Sequence, residues 1–326
     1  MKFIEINKME NRIKALVCGV LFILPVLGCK DTKKEVIVNT EVQKFITPLG
    51  KEFSIPEPLE KLILQYEEAK LDFENNPDNL ENIIWFGRRT AYLGQYDKAI
   101  SIFSNGIKKF PEESRLYRHR GHRYISLRRY KKAIEDLKKA SELIIGEENE
   151  MEADGMPNAM NIPVSSKHGN IWYHLGLAYY LKHDYEKSFE AFLKCRGSGN
   201  NDDNIVSSTH WLYMIQRRLG NEELAMEMLE PITSKANIIE NQGYYDLCKF
   251  YKGLVPLDSL INTKIGSPSS DAVLYGLANW HFYNNDETKA YEIMQEMMDS
   301  RAWSSFGYLA AESDLIKYFP EKNSKF

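Results

Sequence analysis

The feature that most constrains this chain is an internal repeat with a step of 34 residues. Four kinds of residue recur at that step, in the pairs Pro77 and Pro111, Gly87 and Gly121, Tyr96 and Tyr130, and Ala99 and Ala133. A fixed period of this length is typical of repeat architectures, because one supersecondary unit cannot bury its apolar face without neighbours. The sequence therefore predicts units stacked in one direction, and not one or two compact cores.

The order of residues within a unit resembles the tetratricopeptide repeat (TPR). The best copy spans residues 83–111, and residues 172–179 read Trp-Tyr-His-Leu-Gly-Leu-Ala-Tyr, which matches the start of the motif in full. This resemblance implies two antiparallel helices per unit, with Gly87, Gly121 and Gly176 at the close approach between them. The predicted fold class is all-α, a TPR-type α-solenoid of about six helix-turn-helix repeats with terminal capping helices.

The remaining units are less regular. Degenerate copies are predicted at about 206–235, 239–262 and 271–302, and Pro256 should shorten the second helix of the middle one. An amphipathic helix over 59–74 is expected to cap the front of the solenoid, and a helix over about 304–319 should cap its end. The solenoid is thus assigned to residues 57–326.

Residues 1–28 are predicted to be a lipoprotein signal peptide. Arg12 and Lys14 precede an apolar run, Ala15 to Leu27, that is too short to span a bilayer. The sequence Val-Leu-Gly-Cys at 26–29 resembles the bacterial lipobox, which implies that Cys29 carries the lipid. An ordinary signal peptide, or a short buried helix with a chance cysteine, is the alternative.

Residues 29–56 are predicted to comprise the lipidated cysteine and a flexible tether. Lys30 and the lysines and acids that follow resemble the sorting and surface-export segments of outer-membrane lipoproteins, including those of Bacteroidota. The predicted location is therefore the cell envelope, lipid-anchored at the outer membrane, on its periplasmic or surface side. The membrane would be contacted through the lipid anchor only.

The regular step is interrupted once, between the second and third units. Gly121 and Gly176 are 55 residues apart, and the extra residues fall at about 146–168. This insert contains five acids and two prolines, so it is predicted to be a loop on one face of the solenoid. We expect that it could fold over a basic groove as a lid, and that deleting residues 148–164 would then raise ligand affinity.

Positive charge is concentrated in the second unit. Residues 107–139 hold twelve Lys or Arg and four acids, although the whole chain has 42 basic and 46 acidic residues and a net charge of -4. In the TPR family the first helix of each unit lines the concave groove. Carried onto this sequence, that face comprises Trp85, Arg88, Tyr92, Arg115, Arg118, His119, His122, Tyr173, His174, Tyr180, His210, Trp211 and Arg217.

Such a groove would suit an acidic protein or peptide, because arginine binds carboxylates and stacks on rings. The alternative is that the basic block forms a solvated face paired with neighbouring acids. The predicted function is a lipid-anchored TPR adaptor or scaffold. A glycan-binding envelope lipoprotein is the second hypothesis, since Trp85, Trp172, Trp211 and Trp280 could stack on sugars, as in TPR-based starch-utilisation lipoproteins of Bacteroidota.

No catalytic or nucleotide-binding motif appears in the sequence, so an enzyme is not predicted and no cofactor is expected. His119 and His122 lie three apart on one helical face, and with His174 they could bind a metal, but we favour groove-facing polar side chains and no metal. Cys195 and Cys248 are predicted to be buried free thiols. Secretion and the acidic net charge argue against a nucleic-acid partner.

Overall fold

The computed structural model describes residues 44–55, 57–260 and 268–322. The predicted signal peptide, Cys29 and the start of the predicted tether lie outside these residues. The described residues form the strands β1 (Lys44–Ile46) and β2 (Glu52–Ser54) and thirteen α-helices. The helices are α1 (Glu60–Asn75), α2 (Leu80–Tyr92), α3 (Tyr96–Lys109), α4 (Ser114–Ser126), α5 (Tyr130–Leu143), α6 (Lys167–Tyr180), α7 (Tyr185–Gly197), α8 (Asp202–Arg218), α9 (Glu222–Met228), α10 (Gln242–Tyr251), α11 (Pro268–Tyr283), α12 (Glu287–Met297) and α13 (Phe306–Tyr318).

The helices pair as the repeat predicts. The pairs are α2 with α3, α4 with α5, α6 with α7, α8 with α9 and α11 with α12, each joined by a short turn. In the described part of the fifth unit, up to residue 260, α10 is followed only by a 3₁₀ turn at Leu257–Ser259, directly after Pro256, where the second helix would run. The all-α prediction is confirmed, and α1 forms the expected front cap.

Close helix approach within a unit depends on the repeated small residues. A β-carbon on Gly87 would lie 2.4 Å from the ring of Phe103, which is fully buried in the next helix. In the third unit the Ser188 hydroxyl donates a hydrogen bond to the carbonyl of Gly176 at 2.8 Å. Small residues at these positions let the large apolar side chain of the second helix fill the gap.

Residues 44–55 form a β-hairpin and not the flexible tether that the sequence predicted. Phe45 and Phe53 stack on Trp303, with ring centroids 4.8 and 6.0 Å apart. The Lys51 ammonium donates to the carbonyl of Met298 at 2.8 Å and also pairs with Asp299. The prediction was wrong here because each strand is three residues long, too short to show alternation, and its packing partner lies 247 residues away in sequence.

The C-terminal helix α13 does more than cap the last unit. The Arg128 guanidinium donates to the Glu312 carboxylate at 2.8 Å, and the Ser313 hydroxyl contacts His183 Nε2 at 3.0 Å. Arg128 and His183 occupy equivalent turns of the second and third units and have left-handed φ angles of 57° and 58°. A left-handed backbone is unfavourable for these residues, so the contacts with α13 help to hold both turns.

A buried polar network attaches α13 to the body of the solenoid. Arg218 forms an ion pair with Asp314, and both side chains are almost completely buried. The hydroxyl of Tyr275 donates to the same carboxylate at 2.9 Å and lies 2.6 Å from the hydroxyl of Tyr180. The helix therefore lies against several units of the solenoid at once.

Candidate functional site

A cleft of about 560 Å³ lies on the side of the solenoid formed by the first helices of the repeats. Helix α2 contributes Arg88 and Tyr92, and α6 contributes His174. Helix α4 contributes four residues, and most of the rest of the lining comes from the insert after α5 and from residues 239–240, with Ala91, Phe103 and Asn170 completing it. Six predicted groove residues line this cleft: Arg88, Tyr92, Arg118, His119, His122 and His174.

The insert is an ordered loop whose two ends are paired. The amide of Glu152 donates to the carbonyl of Ser165 at 3.0 Å, and the amide of Lys167 donates to that of Glu150 at 2.8 Å. Between these ends, the insert supplies one wall of the cleft. Residues 147–166 form no helix and lie on one face of the solenoid.

Arginines of α2 hold the backbone of the insert. Arg88 donates to the carbonyl of Ala153 at 2.9 Å, and Arg89 donates to that of Gly155 at 2.6 Å. A β-carbon on Gly155 would lie 1.9 Å from the hydroxyl of Tyr92, so a larger residue here would force the Tyr92 side chain to move. The expectation that the acidic insert could fold over the basic face thus matches its position.

The carboxylate of Glu152 is the main counter-charge in the cleft. It forms an ion pair with Arg118 and accepts a hydrogen bond from the Asn170 amide at 2.7 Å. Burial would raise the pKa of Glu152, but Arg118 and Asn170 outweigh burial and hold that pKa below its ordinary value. Glu152 is therefore ionised at neutral pH and neutralises Arg118.

Arg123 has no such partner. Its side chain lines the cleft and is 9% exposed, yet no hydrogen bond or ion pair joins it to any residue that the structure describes. The centroid of the Tyr96 ring lies 5.3 Å from its guanidinium carbon. Burial lowers the pKa of Arg123, and Arg118 and Arg88 lower it further, although Tyr96 and Tyr92 oppose them.

The three histidines of the cleft are neutral. Burial lowers the pKa of His174 to about 3, and the pKa values of His119 and His122 also lie well below the ordinary value, first through burial and then through nearby arginines. His174 donates from Nδ1 to the carbonyl of Asn170 at 2.6 Å. Positive charge in the cleft is therefore supplied by arginine alone.

Weakly basic histidines suit binding better than proton transfer. A general base works best with a pKa near the operating pH, and a pKa near 3 is far from it. No group of three or more His, Cys, Asp or Glu side chains with metal-binding geometry occurs within residues 44–55, 57–260 and 268–322. Cys195 and Cys248 are buried free thiols, as predicted.

Four predicted groove residues belong instead to a second cavity or to the core. Tyr173 lines an adjoining cavity of about 400 Å³ together with Tyr244 and Phe306. Tyr180, His210 and Trp211 are each 1% exposed, so their assignment to the groove surface was wrong. The reason is that α8 is buried on nearly all sides, and the network around Asp314 covers Tyr180.

The other three predicted residues lie outside the cleft. Arg115 pairs with Glu81 and Glu113, Arg217 pairs with Glu222, and Trp85 packs beneath the guanidinium of Arg88, 4.3 Å from its carbon. Arg115 and Arg217 are thus satisfied by local acids and not turned toward a shared groove. Trp172 packs under Lys194, and Trp211 is buried, so the tryptophans considered for sugar stacking do not form one surface.

Most arginines of the basic block are paired, as the alternative interpretation required. Arg120 binds Asp136 through two hydrogen bonds of 2.7 Å, and Arg129 pairs with Asp97 at 2.8 Å. Arg123 is the exception, and sequence reasoning missed it. A signal was present, because Arg115, His119 and Arg123 follow each other at four-residue steps along one helical stripe.

Comparisons with known proteins add distant structural likenesses. No protein-family model and no curated protein matches the chain. A TPR protein from Parabacteroides merdae is 12% identical, over 77% of this chain and 92% of that one, with a TM-score of 0.45. YrrB, described as a TPR protein with an unusual peptide-binding site, is 14% identical over 76% of this chain and 98% of its own, with a TM-score of 0.42.

The fold class rests on the 34-residue step and on the helix pairs that carry it. The chain is a TPR-type α-solenoid. Its described helices include none that is both long and apolar enough to cross a membrane. The site that contains Arg88, Arg118 and Arg123, with the insert as one wall, is termed the arginine cleft.

Proposed function

We propose that this protein is a lipid-anchored adaptor of the cell envelope whose arginine cleft binds an acidic segment of a protein or peptide partner. The observation that carries the proposal is the convergence of three buried arginines, Arg88, Arg118 and Arg123, on one cleft of about 560 Å³. Buried guanidinium groups are costly unless an anion or a set of acceptors satisfies them. A cleft built in this way favours a negatively charged ligand.

The chain's own insert supports a peptide as the ligand. Its backbone carbonyls accept hydrogen bonds from Arg88 and Arg89, and its Glu152 carboxylate meets Arg118. These are the groups that any acidic peptide would offer. The three neutral histidines and Tyr92, which line the same cleft, provide aromatic surface for side chains that flank the acid.

The anchor and the location rest on the sequence alone. The lipobox-like Val-Leu-Gly-Cys at 26–29 supports acylation of Cys29 and retention at the envelope. The test is membrane fractionation with mass spectrometry of Cys29→Ala. We expect the variant to be soluble and without bound fatty acid, and unchanged membrane association would contradict the anchor.

The binding function is tested by capture of partners from envelope extract. Arg118→Met combined with Glu152→Gln removes both charges of the pair, so neither partner is left alone in the cleft. Arg115→Met is the matched control, because Arg115 lies on the same helix but pairs with Glu81 and Glu113 outside the cleft. Circular dichroism melts verify that all three proteins fold.

We expect the double variant to lose a protein partner that the wild type and Arg115→Met both retain. Equal capture by all three proteins would refute a role for the cleft. Loss of retained polysaccharide, with no protein partner affected, would favour the glycan-binding alternative.

The insert should compete with the partner. Glu152→Gln removes a carboxylate that occupies Arg118 while keeping the shape of the side chain, so an acidic partner should bind more tightly, by roughly tenfold if one charge-assisted contact is freed. This substitution is a sharper test than deletion of residues 148–164, because the insert also forms a wall of the cleft. Weaker binding by Glu152→Gln would show that the carboxylate helps the partner to bind.

A further inference from the structure

The front helix α1 exposes two leucines on one side. Leu64 and Leu71 are 59% and 57% exposed, and their seven-residue spacing places them on the same helical stripe. Neither leucine lines the arginine cleft. This stripe of α1 is termed the leucine face.

The 34-residue step shows that packing does not require leucine at these two positions. Pro77, which follows α1, falls one step before Pro111, which follows α3. The buried Ala69 of α1 likewise falls one step before the buried Phe103 of α3, so the two helices are in register. The residues equivalent to the two leucines are Lys98 and Asn105 in α3, Lys132 and Lys139 in α5 and, allowing for the insert, Lys187 and Lys194 in α7. The leucines therefore replace polar side chains of the solvated surface.

Acidic side chains border the leucine face. Helix α1 contains five acids and only two lysines, and one of these, Lys70, lies 3.9 Å from each of two acids. Glu60 and Glu68 lie four residues before and after Leu64, which places them beside it on the helix surface. No ion pair joins Glu60, Glu68 or Asp72 to any residue that the structure describes. The surface thus combines apolar side chains with unneutralised negative charge.

We propose that the leucine face is a docking surface for a basic amphipathic segment of a protein partner. The leucines contact the apolar stripe of that segment, and the acids beside them pair with lysine or arginine on its flanks. A second copy of this chain would bring the same acids together, and anionic lipid headgroups would be repelled by them. The arginine cleft favours the opposite charge, so the protein has two surfaces that select different partners.

The test measures fluorescence anisotropy of labelled peptides with the purified protein. The probe is a fourteen-residue peptide of leucine and lysine, LKKLLKLLKKLLKL, whose leucines form one helical stripe. The comparison peptides have glutamate in place of every lysine, or the same composition in a shuffled order without the stripe. The proteins are the wild type, the double variant Leu64→Gln with Leu71→Gln, and Leu193→Gln. Leu193 is the control because it is a 38% exposed leucine on a different helix, α7.

The basic amphipathic peptide should bind the wild type and Leu193→Gln equally. The Kd should rise about tenfold or more in the double leucine variant, because its apolar contacts are lost. The acidic and shuffled peptides should bind more weakly than the basic amphipathic one. No binding at about 1 mM peptide, equal binding of the acidic or shuffled peptide, or an unchanged Kd in the double variant would each overturn the inference.

The contribution of the acids is tested separately. Glu68→Gln with Asp72→Asn should raise the Kd of the basic peptide about fivefold at low ionic strength, and added salt should reduce this difference. Glu186→Gln with Glu190→Gln is the matched control, because these acids are equally exposed but lie on α7. An equal effect of both pairs would show that only the overall charge matters and would overturn the proposed surface.

Two further measurements exclude a structural role and a second copy. The double leucine variant should unfold at the same temperature as the wild type, because polar residues occupy the equivalent positions in α3, α5 and α7. A clearly lower midpoint would assign the leucines to folding, and a wild-type dimer that this variant loses in sedimentation equilibrium would assign them to self-association; either result overturns the inference. None of these substitutions touches the arginine cleft, so their failure leaves the adaptor proposal standing.

Discussion

His210 gives the sharpest prediction about stability. Its ring is 1% exposed and lies between Tyr244 and Tyr251, with centroid distances of 4.6 and 6.0 Å. Burial lowers the pKa of His210 from 6.5 to about 3, and its buried Nδ1 has no hydrogen-bond partner. The folded protein therefore keeps this histidine neutral at pH values where the unfolded chain would protonate it.

The sign and size follow from proton linkage. Below pH 6.5 His210 is protonated in the unfolded state but not in the folded state. The free energy of unfolding therefore falls as the pH decreases, until the pH reaches the folded-state pKa of about 3. Each pKa unit corresponds to about 1.4 kcal/mol. Between neutral pH and pH 5, the loss attributable to His210 is thus about 2 kcal/mol.

The perturbation is His210→Phe, which retains an aromatic ring in the stack and removes the titrating group. Urea unfolding at pH 7.5 should show a difference from the wild type of about 1 kcal/mol or less, of either sign. Between pH 7.5 and pH 5, the difference in unfolding free energy between His210→Phe and the wild type should shift by about 2 kcal/mol in favour of the variant. Tyr244→Phe is the control, because it alters the same stack without touching a group that titrates in this range.

A difference between His210→Phe and the wild type that stays constant from pH 7.5 to pH 5 would refute the reasoning. It would mean that His210 is protonated equally in the folded and unfolded states, and hence that the stack admits water or an acid. A pH-dependent difference in Tyr244→Phe would point to a change in the stack itself.

Three further outcomes are expected. Gly87→Ala should destabilise the fold by about 1–3 kcal/mol in urea unfolding, because the new β-carbon would meet the ring of Phe103; a neutral effect would contradict the close helix approach. Asp314→Asn should cost about 3–5 kcal/mol, since it leaves Arg218 buried without its counter-charge, and a cost below about 1 kcal/mol would show that α13 is held by other contacts. Burial raises the pKa of Cys195 to about 12, so this thiol should react with iodoacetamide at pH 8 only after denaturant is added. Peptide mapping measures the labelling, and rapid labelling of the native protein would refute the burial of Cys195.

The fold was predictable where the sequence is periodic. The glycine, tyrosine and alanine that recur every 34 residues mark helix pairs directly, because each performs the same packing role in each unit. The hairpin at 44–55 was not predictable, since each strand has only three residues and its packing partners, Trp303 and Met298, are far away in sequence. The second role of α13 was hidden for the same reason: its partners Arg128 and His183 are far away in sequence.

The site was predictable in outline and not in its details. A helical stripe identified the face that carries Arg118 and His122, and the acidic run identified the insert that lies over it. The sequence did not predict which charged residues form ion pairs, because pairs such as Arg120 with Asp136 depend on the register between neighbouring helices. The charge state of the histidines could not be predicted either, because it depends on their burial in the folded protein.

The contact between the hairpin and Trp303 affects how the protein unfolds. A linear repeat array normally frays from its ends, since each unit is held only by its neighbours. Here Phe45 and Lys51 bind residues 298–303, while Arg128 and His183 bind α13. Opening the last unit therefore breaks contacts with the front and middle of the chain at the same moment. Unlike an open array, the solenoid should melt in a single cooperative transition, with little populated intermediate.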